Sequence, residues 1–225
     1  MASTLNADIR AHILAHGQVL HDSVDLLKYA PERWRTTLLI ELATENLANC
    51  FELIQGVDTN NIAKCAWAGR NLLELHYFTR YVIQSPEKAK RFKEDMVCDF
   101  QDLLKRWGKN PLYAQALTQH QLMADSAWSA MTEARKGDKF LSSHDIAGDL
   151  GEQVPYGDLH KYLSKFVHPT SLSIQFRKAE QVYGIVLGTV VEMAARLIAH
   201  TFPLLAKHIK EYSETVVPKN ENPQP

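Results

Sequence analysis

The chain has 225 residues, 45% of them hydrophobic and 23% charged, and its formal net charge is −1. These values are typical of a globular protein and exclude a largely disordered chain, a collagen-like repeat and a disulfide-rich scaffold. Because positive and negative side chains balance, the composition gives no basic surface for nonspecific nucleic-acid binding.

Apolar residues recur at helical spacing in nearly every segment, and none alternates as a strand does. The predicted main helices span about residues 5–28, 31–55, 58–84, 86–107, 110–137 and 170–212, with short helices at about 144–150 and 158–167. The sequence therefore predicts an all-α, single-domain helical bundle. It has about five to six main helices over residues 1–212, short helices in the 140–170 region, and a mobile proline-containing tail over residues 213–225.

The thiols and the longest apolar stretch bear on the cellular setting. The three cysteines are Cys50, Cys65 and Cys98. Each lies in an apolar helical pattern and none forms a C-x-x-C pair, so we expect buried, reduced thiols in a cytoplasmic protein. The most apolar stretch, residues 182–191, is followed by Glu192 and Arg196 and is shorter than the roughly twenty residues that span a bilayer. We therefore expect a core helix there and no membrane partner.

The third predicted helix carries polar residues where its periodicity predicts the interior. Arg70, Glu74, Tyr77 and Tyr81 are three and four residues apart and share a narrow arc of the helix. An unpaired buried charge is costly, so Arg70 and Glu74 should pair with each other or with a facing helix. Two interpretations stay open, namely a structural ion pair and the floor of a polar pocket.

A second polar group precedes the break at His168-Pro169. His160, Ser164 and His168 are spaced four apart, which places them on one side of a short helix. A Ser/His pair without a third member does not establish a nucleophile. We expect Arg70 and Glu74 to face residues 156–171 and to form a cluster with Ser164 or His168. The candidate ligand-binding residues are Arg70, Glu74, Tyr77, Tyr81, Ser164 and His168.

These motifs resemble those of a bacterial all-α domain family of unknown function. The resemblance covers residues 35–200 and rests on three motifs in this sequence, Arg70-x-x-x-Glu74, Ser85-Pro86-Glu87-Lys88-Ala89 and Ser164-x-x-x-His168-Pro169. It implies a helical bundle with a cytoplasmic role and supplies no catalytic residue.

Arg70-Asn71 followed by His76 also resembles the R-N-x-x-x-x-H pattern of HEPN domains, helical ribonucleases of toxin and phage-defence systems. That resemblance implies metal-independent cleavage in a dimer, with Arg70 and His76 stabilising phosphate and transferring protons to support attack by the RNA 2′-hydroxyl. A residue pair six apart is separated by about 120° around a straight helix. RNA is expected as a partner only under this alternative.

No pattern indicates a metal or a cofactor. Asp8, His12 and His16 follow a four-residue step, but the carboxylate–histidine spacing of di-iron bundles is missing. Glu192 and Arg196 have the spacing of an intrahelical ion pair. Phosphate-binding loops, dinucleotide fingerprints and zinc-ribbon spacings do not occur.

Three functions remain open from the sequence. The leading one is a noncatalytic domain that binds a small molecule or a protein in a polar cleft around Arg70 and Glu74. The alternatives are the ribonuclease with Arg70, Asn71 and His76 in its active site, and a homodimer whose buried polar residues only fix the register of the helices.

Overall fold

The computed structural model describes residues 2–30, 33–107, 141–168, 174–175 and 180–216. Within these ranges the chain forms seven α-helices and no strand, which confirms the predicted all-α fold. The helices are α1 (Ala2–Asp25), α2 (Trp34–Asp58), α3 (Ile62–Gln84), α4 (Pro86–Trp107), α5 (Ser143–Asp149), α6 (Gln153–Val167) and α7 (Glu180–Val216), and a 3-10 helix, Leu26–Tyr29, follows α1.

Parts of the sequence prediction lie outside the described residues. These are the predicted fifth main helix over residues 110–137, the start of the last helix near residue 170, and the tail beyond residue 216. The last helix itself continues to Val216, past the predicted end at residue 212.

Two helix starts differ from the prediction. The short helix expected from Asp158 begins at Gln153, because Pro155 lies in its first turn, where a missing N–H breaks no helical hydrogen bond. The short helix before it, predicted from about residue 144, begins at Ser143 and is capped by Ser142 through a capping box with Asp145.

The boundary between α2 and α3 also differs. Asp58 was expected to open the third helix, but it is the last residue of α2. Asn61 caps α3 instead, since its side-chain oxygen accepts a hydrogen bond from the Lys64 N–H at 3.1 Å.

Helix α3 is central to the bundle and packs against α2, α4, α5, α6 and α7. The contacts show that α3 and α7 run parallel, because Ile62 lies beside Tyr183 and His76 beside Thr201. Helix α6 runs antiparallel to α3. Trp67 of this central helix is nevertheless 45% exposed.

All three cysteines are buried in the described part of the fold, and none forms a disulfide. Burial raises the pKa of Cys50 and of Cys65 to about 12, which keeps both as thiols rather than thiolates at neutral pH. Cys98 is likewise only 8% exposed.

Native protein should therefore react slowly with an aromatic disulfide reagent, and all three thiols should react quickly after unfolding in urea. The rate is limited by access and by thiolate content, both of which are low in the fold. The measurement is the absorbance of the released thiolate over time. Rapid reaction of three thiols without denaturant would show that the cysteines are not buried in solution.

Helix α7 is long and apolar enough, over residues 183–216, to cross a membrane by length and composition. More than half of its most apolar window is buried inside the bundle, as in the core helix of a globular protein. Packing against α1 and α3 therefore accounts for the apolar composition of α7.

Candidate functional site

The polar residues of α3 are divided among three neighbouring helices. Asn71 donates a hydrogen bond to Asn49 of α2 at 2.9 Å. Glu74 lies 3.6 Å from the His160 ring nitrogen of α6. His76 hydrogen-bonds Thr201 of α7 at 2.8 Å. Helix α3 thus presents a separate polar contact to each of the three.

The Arg70–Glu74 pair faces α6, as expected for residues 156–171. Arg70 Nε donates to Glu74 Oε1 at 3.3 Å, and His160 Nε2 approaches the same oxygen. His160 rather than Ser164 makes this contact, because Ser164 donates its hydroxyl to the His160 carbonyl at 2.7 Å. His168 is exposed at the end of α6.

The environment of His160 favours its neutral form. Burial lowers its pKa most, and the Arg70 charge lowers it further, whereas Glu74 opposes both effects. The ring also stacks on Tyr156, with centroids 5.4 Å apart, and the Tyr156 hydroxyl shares a 2.7 Å hydrogen bond with Ser143. These contacts fix α6 against α3 and α5.

The two tyrosines of the predicted arc have different surroundings. Tyr77 donates its hydroxyl to Glu152 Oε2 at 3.1 Å, and burial followed by this hydrogen bond raises its pKa to about 12. Tyr81 is 1% exposed in the core, with the Lys88 ammonium 4.9 Å from its ring centroid. Tyr77 therefore belongs to a polar network and Tyr81 to the core.

Glu152, which the sequence prediction missed, joins that network. It precedes α6 and accepts two hydrogen bonds from Arg80, at 2.6 and 2.9 Å, in a bidentate pair. The Arg80 hydrogen bonds lower the pKa of Glu152. Arg80 continues the polar arc, three residues after Tyr77, whereas nothing in the local sequence marks Glu152 as its partner.

His76 is held at both ring nitrogens. Arg80 Nη1 is 3.4 Å from His76 Nε2, and an arginine can only donate, so Nε2 is the acceptor. Nδ1 then carries the proton and donates to Thr201 Oγ1 at 2.8 Å. Burial, followed by the Arg80 charge, lowers the pKa of His76 to about 4. The imidazole is therefore neutral near pH 7.

A cleft of about 630 Å³ opens beside this histidine between α3, α6 and α7, and is called the His76 cleft below. Its lining residues are His76, Arg80, Leu159, Met193, Arg196, Leu197, His200 and Leu204. Four are apolar and the others are basic or imidazole side chains. Glu152 and Glu192, the partners of the two arginines, are not among them.

The three residues of the ribonuclease alternative do not meet at one point. Arg70 contacts Glu74 on the α6 side, Asn71 contacts Asn49 on the α2 side, and His76 contacts α7. Only His76 lines the cleft. The separation agrees with the angular spacing expected on a straight helix.

The described residues contain no group of three or more His, Cys, Asp or Glu side chains placed to hold a metal ion. The rings of His12 and His16 pack edge to face, with centroids 4.5 Å apart. Glu192 and Arg196 form the predicted intrahelical ion pair at 2.6 Å.

Comparisons with protein-family models, with curated proteins and with solved structures found no match.

Replacing Glu152 by alanine should lower the free energy of unfolding by about 1–3 kcal/mol, between the effects of an exposed and a buried pair. The variant leaves the Arg80 charge, whose side chain is 26% exposed, without its carboxylate partner, and also removes the Tyr77 contact. Urea unfolding at pH 7 measures the loss.

The matched control is Glu192→Ala, which removes a carboxylate from the exposed Arg196 pair on α7. Its cost should be at most about 0.5 kcal/mol. Equal losses in the two variants would contradict a special role for Glu152.

Proposed function

We propose that this chain is a noncatalytic cytoplasmic ligand-binding domain and that the His76 cleft is its binding site. The observation that carries the proposal is the composition of the cleft, an apolar surface with a few converging polar groups between helices of a bundle. Small-molecule sites have this composition, and volumes of about 300–1,000 Å³ are typical of them.

The state of His76 favours binding over catalysis. A general base needs a nitrogen that can receive a proton, and a general acid needs one to give. His76 accepts from Arg80 through one nitrogen and donates to Thr201 through the other. With its pKa near 4, it holds Arg80 in place at neutral pH rather than exchanging protons.

The Arg70–Glu74 pair supports the same site from the side. Through His160 it holds the middle of α6, and Glu152 holds the start of that helix against Arg80. Leu159 of α6 forms one wall of the cleft. In this proposal Arg70, Glu74 and Tyr77 position the wall and do not contact the ligand themselves.

Methyl NMR tests the proposal directly. Protein labelled at methionine methyl groups is titrated with a fragment set that contains anionic, neutral and cationic compounds. Binding in the cleft should shift the Met193 signal, because Met193 lines it. A set in which no compound of any charge shifts Met193 would overturn the proposal.

Two tryptophan variants of α7 provide the control. Leu197→Trp should fill the cleft and abolish the shift. Ile185→Trp, at a position that is 71% exposed on the same helix, should leave the shift unchanged. Loss of binding in both variants would indicate a general disturbance of α7 and contradict the assignment of the site.

The ribonuclease alternative is tested separately. Wild-type protein should produce no RNA fragments with 2′,3′-cyclic phosphate ends above a buffer background. Reproducible cleavage that is lost in both Arg70→Ala and His76→Ala would replace the binding proposal with the HEPN-like one.

A further inference from the structure

We propose that the His76 cleft takes an amphipathic anion, with its charged oxygens at Arg80, Arg196 and His200 and its apolar body on the leucine and methionine surface. This inference rests on the proposed binding function and specifies the class of the ligand. The shared chemistry is an anionic head group, carboxylate or phosphate, joined to an aliphatic or aromatic body.

The negative charge proposed for the ligand follows from the side chains that line the cleft. Arg80 and Arg196 line it, whereas Glu152 and Glu192 contact those arginines from outside the lining. No carboxylate is among the described residues that line the cleft. A cationic ligand would therefore meet guanidinium groups with no carboxylate turned towards it in the lining, and an anionic ligand would meet donors.

Arg80 keeps donors for such a ligand despite its bidentate pair. Of its five N–H groups, Glu152 accepts two and His76 accepts a third. The Nε–H and one Nη2–H have no acceptor among the described residues. Because Glu152 and His76 fix the guanidinium plane, these donors are already oriented before a ligand arrives.

The second arginine is less constrained. Arg196 gives one hydrogen bond to Glu192 and its side chain is 75% exposed, so four of its N–H groups remain for water or a ligand. His200 lies one turn further along α7 and lines the same cleft. Together they present polar atoms at one edge of an otherwise apolar surface.

The apolar part of the cleft requires a ligand that is not polar throughout. Met193, Leu197 and Leu204 lie along α7 and Leu159 faces them from α6. At 1.5 Å per residue, the lining from Met193 to Leu204 extends about 16 Å. A wholly polar ligand would leave this surface unmatched, while an aliphatic or aromatic body would remove it from water.

Four compounds with one ten-carbon chain test the inference, each used below its micelle concentration or, for the alcohol, below its solubility. They are decanoate, decyl phosphate, decanol and decyltrimethylammonium. Decanoate or decyl phosphate should bind about tenfold tighter than decanol, the effect of one charge-assisted hydrogen bond. The cation should not bind. Isothermal titration gives the affinities, and the Met193 methyl shift gives the location.

Two variants separate the head-group contact from general effects of charge. Arg196→Met should remove most of the preference for the anion over decanol while decanol still binds. Lys207→Met is matched to it, because Lys207 also pairs with a glutamate four residues away on α7 but does not line the cleft. That control should keep the preference.

The outcomes distinguish this inference from the proposed function. Tighter binding of either anion supports it, and the better of the two identifies the head group. Equal binding of decanol, or binding of the cation, overturns the charge assignment and leaves the binding site standing. Fragment shifts at Met193 without binding of any ten-carbon compound overturn the ligand class. If no compound of either set shifts Met193, the proposed function fails as well.

Discussion

Acidification from pH 6.5 to pH 4 should lower the free energy of unfolding by about 3 kcal/mol through His76 alone. The unfolded chain protonates this imidazole near pH 6.5, whereas burial and Arg80 lower its pKa to about 4 in the fold. Between these values the unfolded state binds more protons, so stability falls as the pH falls. The loss is complete below pH 4 and absent well above pH 6.5.

The ionisable groups around His76 also affect how the free energy of unfolding depends on pH. Glu152 opposes the shift of His76, and Arg80 and His200 contribute to it. The pKa of Glu152 is itself lowered by Arg80, so its contribution is lost only as the pH falls below the ordinary value of 4.5. The lowered pKa values of His160 and His208, caused first by burial, add slopes of the same sign as that of His76.

The difference between wild type and His76→Gln isolates the contribution of His76. Glutamine keeps a polar side chain but does not titrate, so the wild type should lose more stability than the variant between pH 7 and pH 4.5. Urea unfolding at several pH values measures both curves. His21→Gln, at an exposed position of α1, controls for the loss of an imidazole. Parallel curves for wild type and His76→Gln would contradict the buried, neutral His76.

The fold could be predicted because its signal is local. Amphipathic spacing is repeated within each helix, and Pro86 after Ser85 marks the start of α4 as predicted. The predicted helix boundaries are less accurate where one residue type is common at two different positions of a helix end. Asp58 can cap a helix or end one, and Pro155 can precede a helix or occupy its first turn.

In the site too, contacts within one helix could be predicted and contacts between helices could not. In the Arg70–Glu74 pair and in the Glu192–Arg196 pair, the two residues are four apart on the same helix. This spacing is sufficient to predict both pairs. The Arg80–Glu152 pair is separated by 72 residues and the His76–Thr201 pair by 125. Their partners depend on which helices adjoin α3 and in which direction they run, and the periodicity of one helix carries no such information.

The second large effect on stability is expected at the junction of α3, α6 and α7. Leu163 is fully buried, and its Cδ2 lies 3.5 Å from the position that a Cβ on Gly69 would occupy. The Cβ of Ala194 is also 3.5 Å from that position. The three helices that form the His76 cleft therefore meet around this one leucine side chain.

Leu163→Ala should lower the free energy of unfolding by about 2–5 kcal/mol, because it removes buried methyl groups and leaves a cavity. Leu163→Met keeps nearly the same volume and should cost less than about 1.5 kcal/mol. Urea unfolding at pH 7, where His76 is neutral in the fold, gives both values. A loss below about 1 kcal/mol for the alanine variant would show that Leu163 is not enclosed.

A second substitution tests whether the cavity lies where the three helices meet. Gly69→Ala adds a methyl group at ordinary contact distance in the wild type and should gain up to about 1 kcal/mol from helix propensity alone. In the Leu163→Ala background the same methyl group also fills part of the new cavity, so the gain should be larger there. A coupling energy of at least about 0.5 kcal/mol between the two sites is therefore expected. Strict additivity would place the lost packing of Leu163 away from Gly69 and contradict the contact of the three helices at this junction.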